Sequence, residues 1–119
     1  MTTSEPRIIR QQMPRAELAA MAQARFGDMV KAVVDVSRGV MAVSGELHSD
    51  EAALLLDDRS RQTDLWGINL YPNESGPDWI EFDAMINVRP SQNNRSRDVE
   101  DEGTRAAIRR VVDALVETP

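Results

Sequence analysis

Cysteine is absent from this chain of 119 residues. Without a thiol, the protein has no disulfides, no thiolate zinc site and no cysteine nucleophile. The absence is in keeping with a reducing compartment. His48 is the only histidine, whereas a typical zinc site needs several His or Cys ligands. No glycine-rich fingerprint for phosphates or dinucleotides occurs, so the sequence predicts neither a bound metal nor a cofactor.

Long apolar runs are missing as well. No stretch approaches the roughly 20 apolar residues that a membrane span requires, and the first residues, MTTSEPRIIRQQ, lack the apolar segment of a signal peptide. We therefore expect a cytoplasmic protein without a membrane partner. The length predicts a single domain over residues 1–119, with residues 1–6 disordered.

Acidic residues outnumber basic ones, which gives a formal net charge of −6. Such a chain repels phosphate backbones on average, so the charge balance disfavours nucleic-acid binding. It leaves open an acidic partner that masks a basic protein. Positive charge gathers in one place, because Arg89, Arg95 and Arg97 lie within nine residues that contain no acid.

The stretch from residue 79 to residue 89 alternates without interruption. One predicted face carries Ile80, Phe82, Ala84, Ile86 and Val88, and the other carries Trp79, Glu81, Asp83, Met85, Asn87 and Arg89. Alternation with a period of two is typical of a strand that packs one face on a core. Pro90 has no N–H for a strand ladder and ends the strand.

The remaining elements follow from periodicity and capping signals. Helices are predicted over 14–26, with Gly27 after its end, from Ser49 as a cap, and over 102–117 with Asp101 as a cap. Strands are predicted over 7–12, 29–36, 40–44 and 65–71. A turn over residues 37–39 is predicted to pair Val36 with Val40 in one hairpin, and Tyr71 is predicted to lie opposite Trp79 in another. The order β-α-β-β-α-β-β-α predicts an α+β fold, a largely antiparallel sheet of four or five strands with helices packed on one face.

A polar loop after the long alternating stretch is the first candidate site. Its side chains, with the neighbouring strand face, are Asn87, Arg89, Ser91, Gln92, Asn94 and Arg95. Arginine and amide groups hold carboxylates or phosphates by charge-assisted hydrogen bonds, and Trp79 and Tyr71 would add apolar contact. The alternative is an ordered loop whose side chains bond to backbone groups.

Two carboxylates and the histidine form the second candidate. Glu81 and Asp83 point the same way on the predicted strand, about 7 Å apart, a spacing that suits a shared cation or divided acid and base roles. His48 would be the general base. A hydrolytic or metal-assisted enzyme is the function this set predicts. A solvated strand face and a hydrogen-bonded bend are the alternatives.

Three long stretches resemble a known family. They are RFGDMVKAVVDV (25–36), GELHSDEAALLLDDRSRQTDLWGINLYP (45–72) and DWIEFDAMINVRPSQNNRSRDVED (78–101), to which the final helix adds. The family consists of short bacterial and archaeal proteins classed only as a domain of unknown function. The resemblance implies a self-contained small domain and brings no activity, substrate or catalytic residue. Our leading interpretation is a small binding or interaction module for a small anionic ligand or a protein partner.

Overall fold

The computed structural model of the protein describes residues 5–117. Within that range five strands form one antiparallel sheet with three α-helices against it, which confirms the α+β class and the element order. The strands are β1 (Arg7–Ile9), β2 (Val30–Asp35), β3 (Val40–Val43), β4 (Leu65–Leu70) and β5 (Ile80–Glu81), in the sheet order β1-β3-β2-β4-β5. The helices are α1 (Arg15–Arg25), α2 (His48–Asp57) and α3 (Glu102–Leu115). The disorder predicted for residues 1–6 concerns mainly residues 1–4, which lie outside the described range.

The end of α1 and the start of α3 lie where their sequence signals predict, whereas α3 ends at Leu115, two residues before the predicted end. Gly27 follows α1 with a φ of 98°, a left-handed conformation that glycine adopts at little cost. Asp101 caps α3, because its side chain accepts a hydrogen bond from the Thr104 N–H at 2.9 Å. The cap of α2 differs: Leu47 precedes the helix without a side-chain cap, and Ser49 lies inside the first turn. None of the helices between residues 5 and 117 is long and apolar enough to cross a membrane.

The sheet is covered on both faces, whereas the sequence predicted helices on one. Val30, Ala32 and Val34 of β2 lie in the larger apolar cluster with the buried faces of α1 and α3. Val33 of β2 points the other way, into a second cluster that contains Leu55 of α2. Since β2 and its neighbour β3 are apolar on both sides, each face needs a helix to exclude water.

The hairpin between β2 and β3 is one residue longer than predicted. Asp35 pairs with Val40 and Val33 with Ala42, instead of Val36 with Val40. The buried Asp35 carboxylate accepts hydrogen bonds from the N–H groups of Ser37 and Arg38, both at 2.9 Å. This side chain closes a longer turn, and the sequence pattern of valines alone does not reveal it.

The long strand predicted over 79–89 is wrong in its extent. The predicted register is right where pairing occurs, since Leu70 pairs with Ile80 and the Tyr71 N–H donates to the Trp79 carbonyl at 2.8 Å. After Glu81, however, the chain leaves the sheet and turns through a short 3₁₀-helix, Met85–Asn87. Trp79 was expected on the outer face, but it is only 7% exposed and belongs to the larger core.

Candidate functional site

A cleft of about 380 Å³ lies where the N-terminus of α2 meets the ends of β2, β4 and β5. Its polar walls are Lys31, His48, Asn69, Glu81, Asp83 and Arg97, and its apolar walls include Leu47, Met85 and Ile86. The volume is within the range of small-ligand sites. It brings three side chains of the second candidate set, His48, Glu81 and Asp83, into one place.

The sheet register explains why polar groups meet in this cleft. Lys31 on β2 pairs with Asn69 on β4, and Asn69 pairs in turn with Glu81 on β5. The three residues therefore form one row across three adjacent strands. Lys31 shares its face with Val33, because residues two apart on a strand point the same way. This is the face that α2 covers, so the polar row lies beside the first turn of α2.

Asn69 uses only half of its hydrogen-bonding capacity. Its Nδ2 donates to Glu81 Oε1 at 2.9 Å and to the Asp83 carbonyl at 3.1 Å. Its Oδ1 is buried, and no group within residues 5–117 donates a hydrogen bond to it while the His48 ring beside it is neutral. The residue is 6% exposed, so bulk water has little access to this acceptor. Leaving a buried acceptor unpaired costs on the order of 1–3 kcal/mol.

His48 presents a second acceptor. Its Nε2 lies 2.8 Å from the Ile68 carbonyl oxygen, which accepts hydrogen bonds only, so we assign the proton to Nε2. Burial lowers the pKa of His48. Hydrogen bonds of the ring with the Ile68 carbonyl and with the Asn69 side chain, which favour the protonated ring, oppose this effect. The neutral ring therefore keeps a lone pair on Nδ1, the form that a general base requires.

The charges in the cleft balance one another. Arg97 Nε donates to Asp83 Oδ1 at 2.6 Å, and Lys31 Nζ lies 5.1 Å from the centre of the Phe26 ring. Glu81 accepts a hydrogen bond from the Tyr71 hydroxyl at 3.0 Å. Burial and this contact with Glu81 raise the pKa of Tyr71 to about 12. Two cations thus face two carboxylates beside a neutral histidine.

The donor set for a metal ion is limited. Among residues 5–117, no three His, Cys, Asp or Glu side chains are grouped so that they could hold a metal ion. Asp83 is in addition paired with Arg97. The cleft therefore offers hydrogen bonds and one basic nitrogen.

Arg89, central to the predicted anion site, is held by the protein itself. It donates to the carbonyl oxygens of Gln62 and Leu65, at 2.6 and 2.5 Å, and its guanidinium lies 4.1 Å from the centre of the Trp66 ring. Burial lowers the pKa of Arg89. Gln92 Nε2 donates to the Thr63 carbonyl at 3.1 Å. These contacts fasten the loop to the segment before β4.

The two asparagines of the same candidate site are buried. Asn87 bonds to both backbone groups of Gly67, and Asn94 donates to the carbonyls of Asn87 and Asp98, both at 2.7 Å. Ser91 and Arg95 are exposed. The Tyr71 hydroxyl donates a hydrogen bond to Glu81, a residue that lines the cleft. The buried Trp79 ring instead contacts Arg15, whose guanidinium lies 3.8 Å from the ring centre. The loop residues therefore do not converge on one surface.

Sequence reasoning missed Asn69 and Lys31 as site residues. Both are polar residues inside strands that are otherwise apolar, LWGINL and VKAVVD, and Lys31 is the only lysine of the chain. A polar residue within a buried strand needs a specific partner. That signal was present, but the pairing of Lys31 with Asn69 depends on the register between β2 and β4, two strands far apart in the sequence.

A larger depression, of about 770 Å³, lies between β1 and α1. Arg7 and Glu17 in its walls pair with each other. Both side chains are about half exposed, so water screens them. The smaller cleft is the better candidate, because it combines several polar side chains with a buried unpaired acceptor.

The structure has a small α+β fold with a polar cleft at the N-terminus of its middle helix. The family model described as protein of unknown function (DUF5674) matches residues 7–115, nearly the whole chain. The chain belongs to this family, which confirms the resemblance predicted for residues 25–101 and the final helix and extends it toward the N-terminus. None of the curated proteins and none of the solved structures matches the chain.

Proposed function

We propose that this protein binds a small, uncharged molecule that carries hydrogen-bond donors, and that the cleft beside His48 is the binding site. The observation that carries the proposal is the unpaired Oδ1 of Asn69, an acceptor in a residue only 6% exposed that lines the cleft. A hydroxyl or N–H group of a ligand would satisfy this oxygen and offset the cost of its burial.

The neighbouring acceptors favour the same chemistry. The neutral His48 ring has a lone pair on Nδ1, and its burial is the main cause of its lowered pKa. A molecule with two adjacent donors would match Asn69 Oδ1 and His48 Nδ1 together. Such pairing of buried polar groups is the usual source of specificity in a small-ligand site.

Charge balance in the cleft supports an uncharged ligand over the anion predicted from the arginine loop. Lys31 and Arg97 are matched by Glu81 and Asp83, and Arg97 is already bonded to Asp83 at 2.6 Å. An anion would gain attraction from Lys31 and meet repulsion from the two carboxylates. Arg89 in the loop is bonded to two carbonyl oxygens, so an anion there would compete with them.

Catalysis is a second candidate, because His48, Glu81 and Asp83 line one cleft. His48 Nδ1 would accept a proton from a water or from the ligand's hydroxyl as it reacts, the part of a general base. Glu81 or Asp83 would stabilise the imidazolium that forms. This version needs the same bound molecule, so the two functions differ in whether the ligand leaves unchanged.

A thermal-shift screen with wild-type protein and two variants tests the proposal. The panel holds uncharged polyols and amides together with nucleotides, phosphorylated metabolites and small carboxylates. A ligand at a hundred times its Kd adds roughly 2.7 kcal/mol, a shift of several degrees. Asn69→Ala removes the acceptor, His48→Ala serves if that variant folds poorly, and Arg95→Ala is the matched control in the exposed loop.

We expect an uncharged compound to stabilise wild type and Arg95→Ala equally and Asn69→Ala or His48→Ala much less. If an anion stabilised the wild type but not Arg95→Ala, the binding site would lie in the polar loop that contains Arg95, and the proposal would be overturned. A panel without any hit would also overturn it. Mass spectrometry of the incubated hit separates the two candidate functions, because only catalysis changes its mass or composition.

A further inference from the structure

We infer, resting on the proposed function, that the ligand is amphipathic: its donor-bearing head lies in the cleft beside Asn69 and His48, and a short apolar tail follows a groove along α2. The inference rests on what continues from the cleft. Its polar walls end at the first turn of α2, and the surface beyond them changes character.

A second depression, of about 210 Å³, adjoins the cleft on the side of α2. The two share Ser49 and Ile86 in their walls. The second one is lined further by Ala52, Ala53, Leu56, Leu65, Gln62 and Arg89. Five of its eight lining residues, Ala52, Ala53, Leu56, Leu65 and Ile86, are apolar, so the surface offered to a ligand there is chiefly apolar.

Exposed apolar side chains border both parts of this groove. Leu47 is 51% exposed and Met85 is 67% exposed at the cleft, and Leu56 is 43% exposed at the far part. Large apolar side chains in a row at the surface mark binding sites more often than isolated ones do. Methionine and leucine also adapt their shape to an alkyl chain.

Polarity at one end and apolar surface at the other select one class of occupant. A wholly polar metabolite would leave the Leu56 end uncovered, and a wholly apolar molecule would leave Asn69 Oδ1 unpaired. The far part is small, about 210 Å³, so it suits a short chain. A vicinal diol on an alkyl tail has two adjacent donors and a tail, the combination that the groove matches.

A homologous series of vicinal alkanediols, from propanediol to octanediol, tests the inference. The head is constant in this series and only the tail grows. Binding is measured by calorimetry, and by NMR at the Asn69 side-chain amide and the His48 ring. We expect about fourfold tighter binding for each added methylene until the groove is filled, and a plateau beyond.

Ala53→Asp provides the matched variant. Ala53 is exposed on α2 and lines the far part of the groove, so a carboxylate there removes its apolar character without disturbing a buried contact. We expect this variant to bind propanediol as wild type does and to lose the dependence on chain length. Asn69→Ala should weaken every member of the series by a similar factor.

The outcomes separate the inference from the proposed function. If all diols bound with equal affinity, the proposed binding of the head in the cleft would stand, and the inferred binding of the tail in the groove would be overturned. No binding of any diol would overturn both. A wild-type dimer in sedimentation that dissociates in Ala53→Asp would show that a second copy of the chain covers the groove, and would likewise overturn the tail.

Discussion

At the scale of single residues, three buried asparagines divide into two kinds. Both polar atoms of the Asn87 side chain are hydrogen-bonded. Its Oδ1 accepts from the Gly67 N–H at 2.8 Å, and its Nδ2 donates to the carbonyls of Gly67 and Arg97 at 2.9 and 3.0 Å. Asn94 is likewise saturated with backbone partners. Asn69 alone of the three keeps an unpaired atom. Unused capacity in a buried amide therefore distinguishes the candidate ligand contact from residues that hold the fold.

Asn87→Ala should destabilise the protein strongly. The side-chain amide of Asn87 bonds to Gly67 of β4 as a neighbouring strand would, in the place that β5 leaves when it ends at Glu81. Its removal leaves buried backbone groups unpaired, and we expect a loss of about 3 kcal/mol in the free energy of unfolding. Urea denaturation measures the loss.

Gln92→Ala is the control for this prediction. It removes a single solvent-exposed hydrogen bond, to the Thr63 carbonyl, and should cost less than about 0.5 kcal/mol. Equal losses in the two variants would contradict the view that Asn87 replaces a strand.

At the scale of elements, β4 and the segment after β5 fit together through a glycine. A Cβ atom at Gly67 would lie 2.5 Å from the Ala84 Cβ and 3.2 Å from the His48 Cδ2. The absence of a side chain at Gly67 lets the segment cross β4 closely and places Asp83 beside the cleft. The site thus depends on a contact between elements and not only on its own polar residues.

Gly67→Ala should cost about 1–3 kcal/mol in the free energy of unfolding, since the added methyl group overpacks a tight contact. Adding Ala84→Gly removes the atom that the new Cβ meets. We expect the double variant to be more stable than the sum of the two single losses predicts, by at least about 0.5 kcal/mol. Additive losses, measured by denaturation of all four proteins, would refute the direct contact.

Elements with a local signal were predictable from the sequence. The end of α1 followed from periodicity and Gly27, the start of α3 followed from Asp101, and the pairing of Leu70 with Ile80 followed from matched apolar positions. The alternation over 79–89 misled because its apolar residues are buried in different places. Ile80 and Phe82 belong to the larger core, whereas Ala84 and Ile86 are covered by the close crossing over Gly67 and by the core beneath α2. Burial on alternate sides does not require a strand.

The candidate site was predictable only in part, for a related reason. His48, Glu81 and Asp83 were named from their chemistry, but their convergence requires the register of β2, β4 and β5. The engagement of Arg89 by the carbonyls of Gln62 and Leu65 joins positions more than 20 residues apart, at separations of 27 and 24. Loop composition indicates which groups are present and does not reveal which of them the backbone occupies.

At the scale of the whole molecule, two titratable groups at the start of α2, the half-buried His48 and the fully buried Glu51, make stability depend on pH in opposite directions. Burial lowers the pKa of His48 below its ordinary value of 6.5, so between the folded and the unfolded pKa the unfolded chain binds the extra proton. Stability therefore rises as the pH increases to about 6.5. Burial raises the pKa of Glu51 well above its usual range, so the folded protein holds the extra proton. Glu51 Oε2 accepts a hydrogen bond from the Gly45 N–H at 2.8 Å.

Glu51→Gln should isolate the second of these effects. In the unfolded chain Glu51 ionises near its usual pKa of 4.5, whereas in the fold burial raises that pKa, against the Gly45 hydrogen bond and the charge of Lys31. Between the two pKa values the folded state binds more protons, so wild-type stability contributed by Glu51 is complete below pH 4.5 and is lost as pH rises through the folded value. The slope is at most about 1.4 kcal/mol per pH unit.

Glutamine cannot ionise, so the stability of Glu51→Gln relative to wild type should rise with pH over this window. Urea denaturation of both proteins from about pH 5 to about pH 8 measures the difference, in which the effect of His48 cancels because both carry it. Glu46→Gln, at a nearby residue whose side chain is 76% exposed, is the control and should follow wild type. Parallel curves for Glu51→Gln and wild type would mean that the buried carboxyl does not hold its proton in the folded protein.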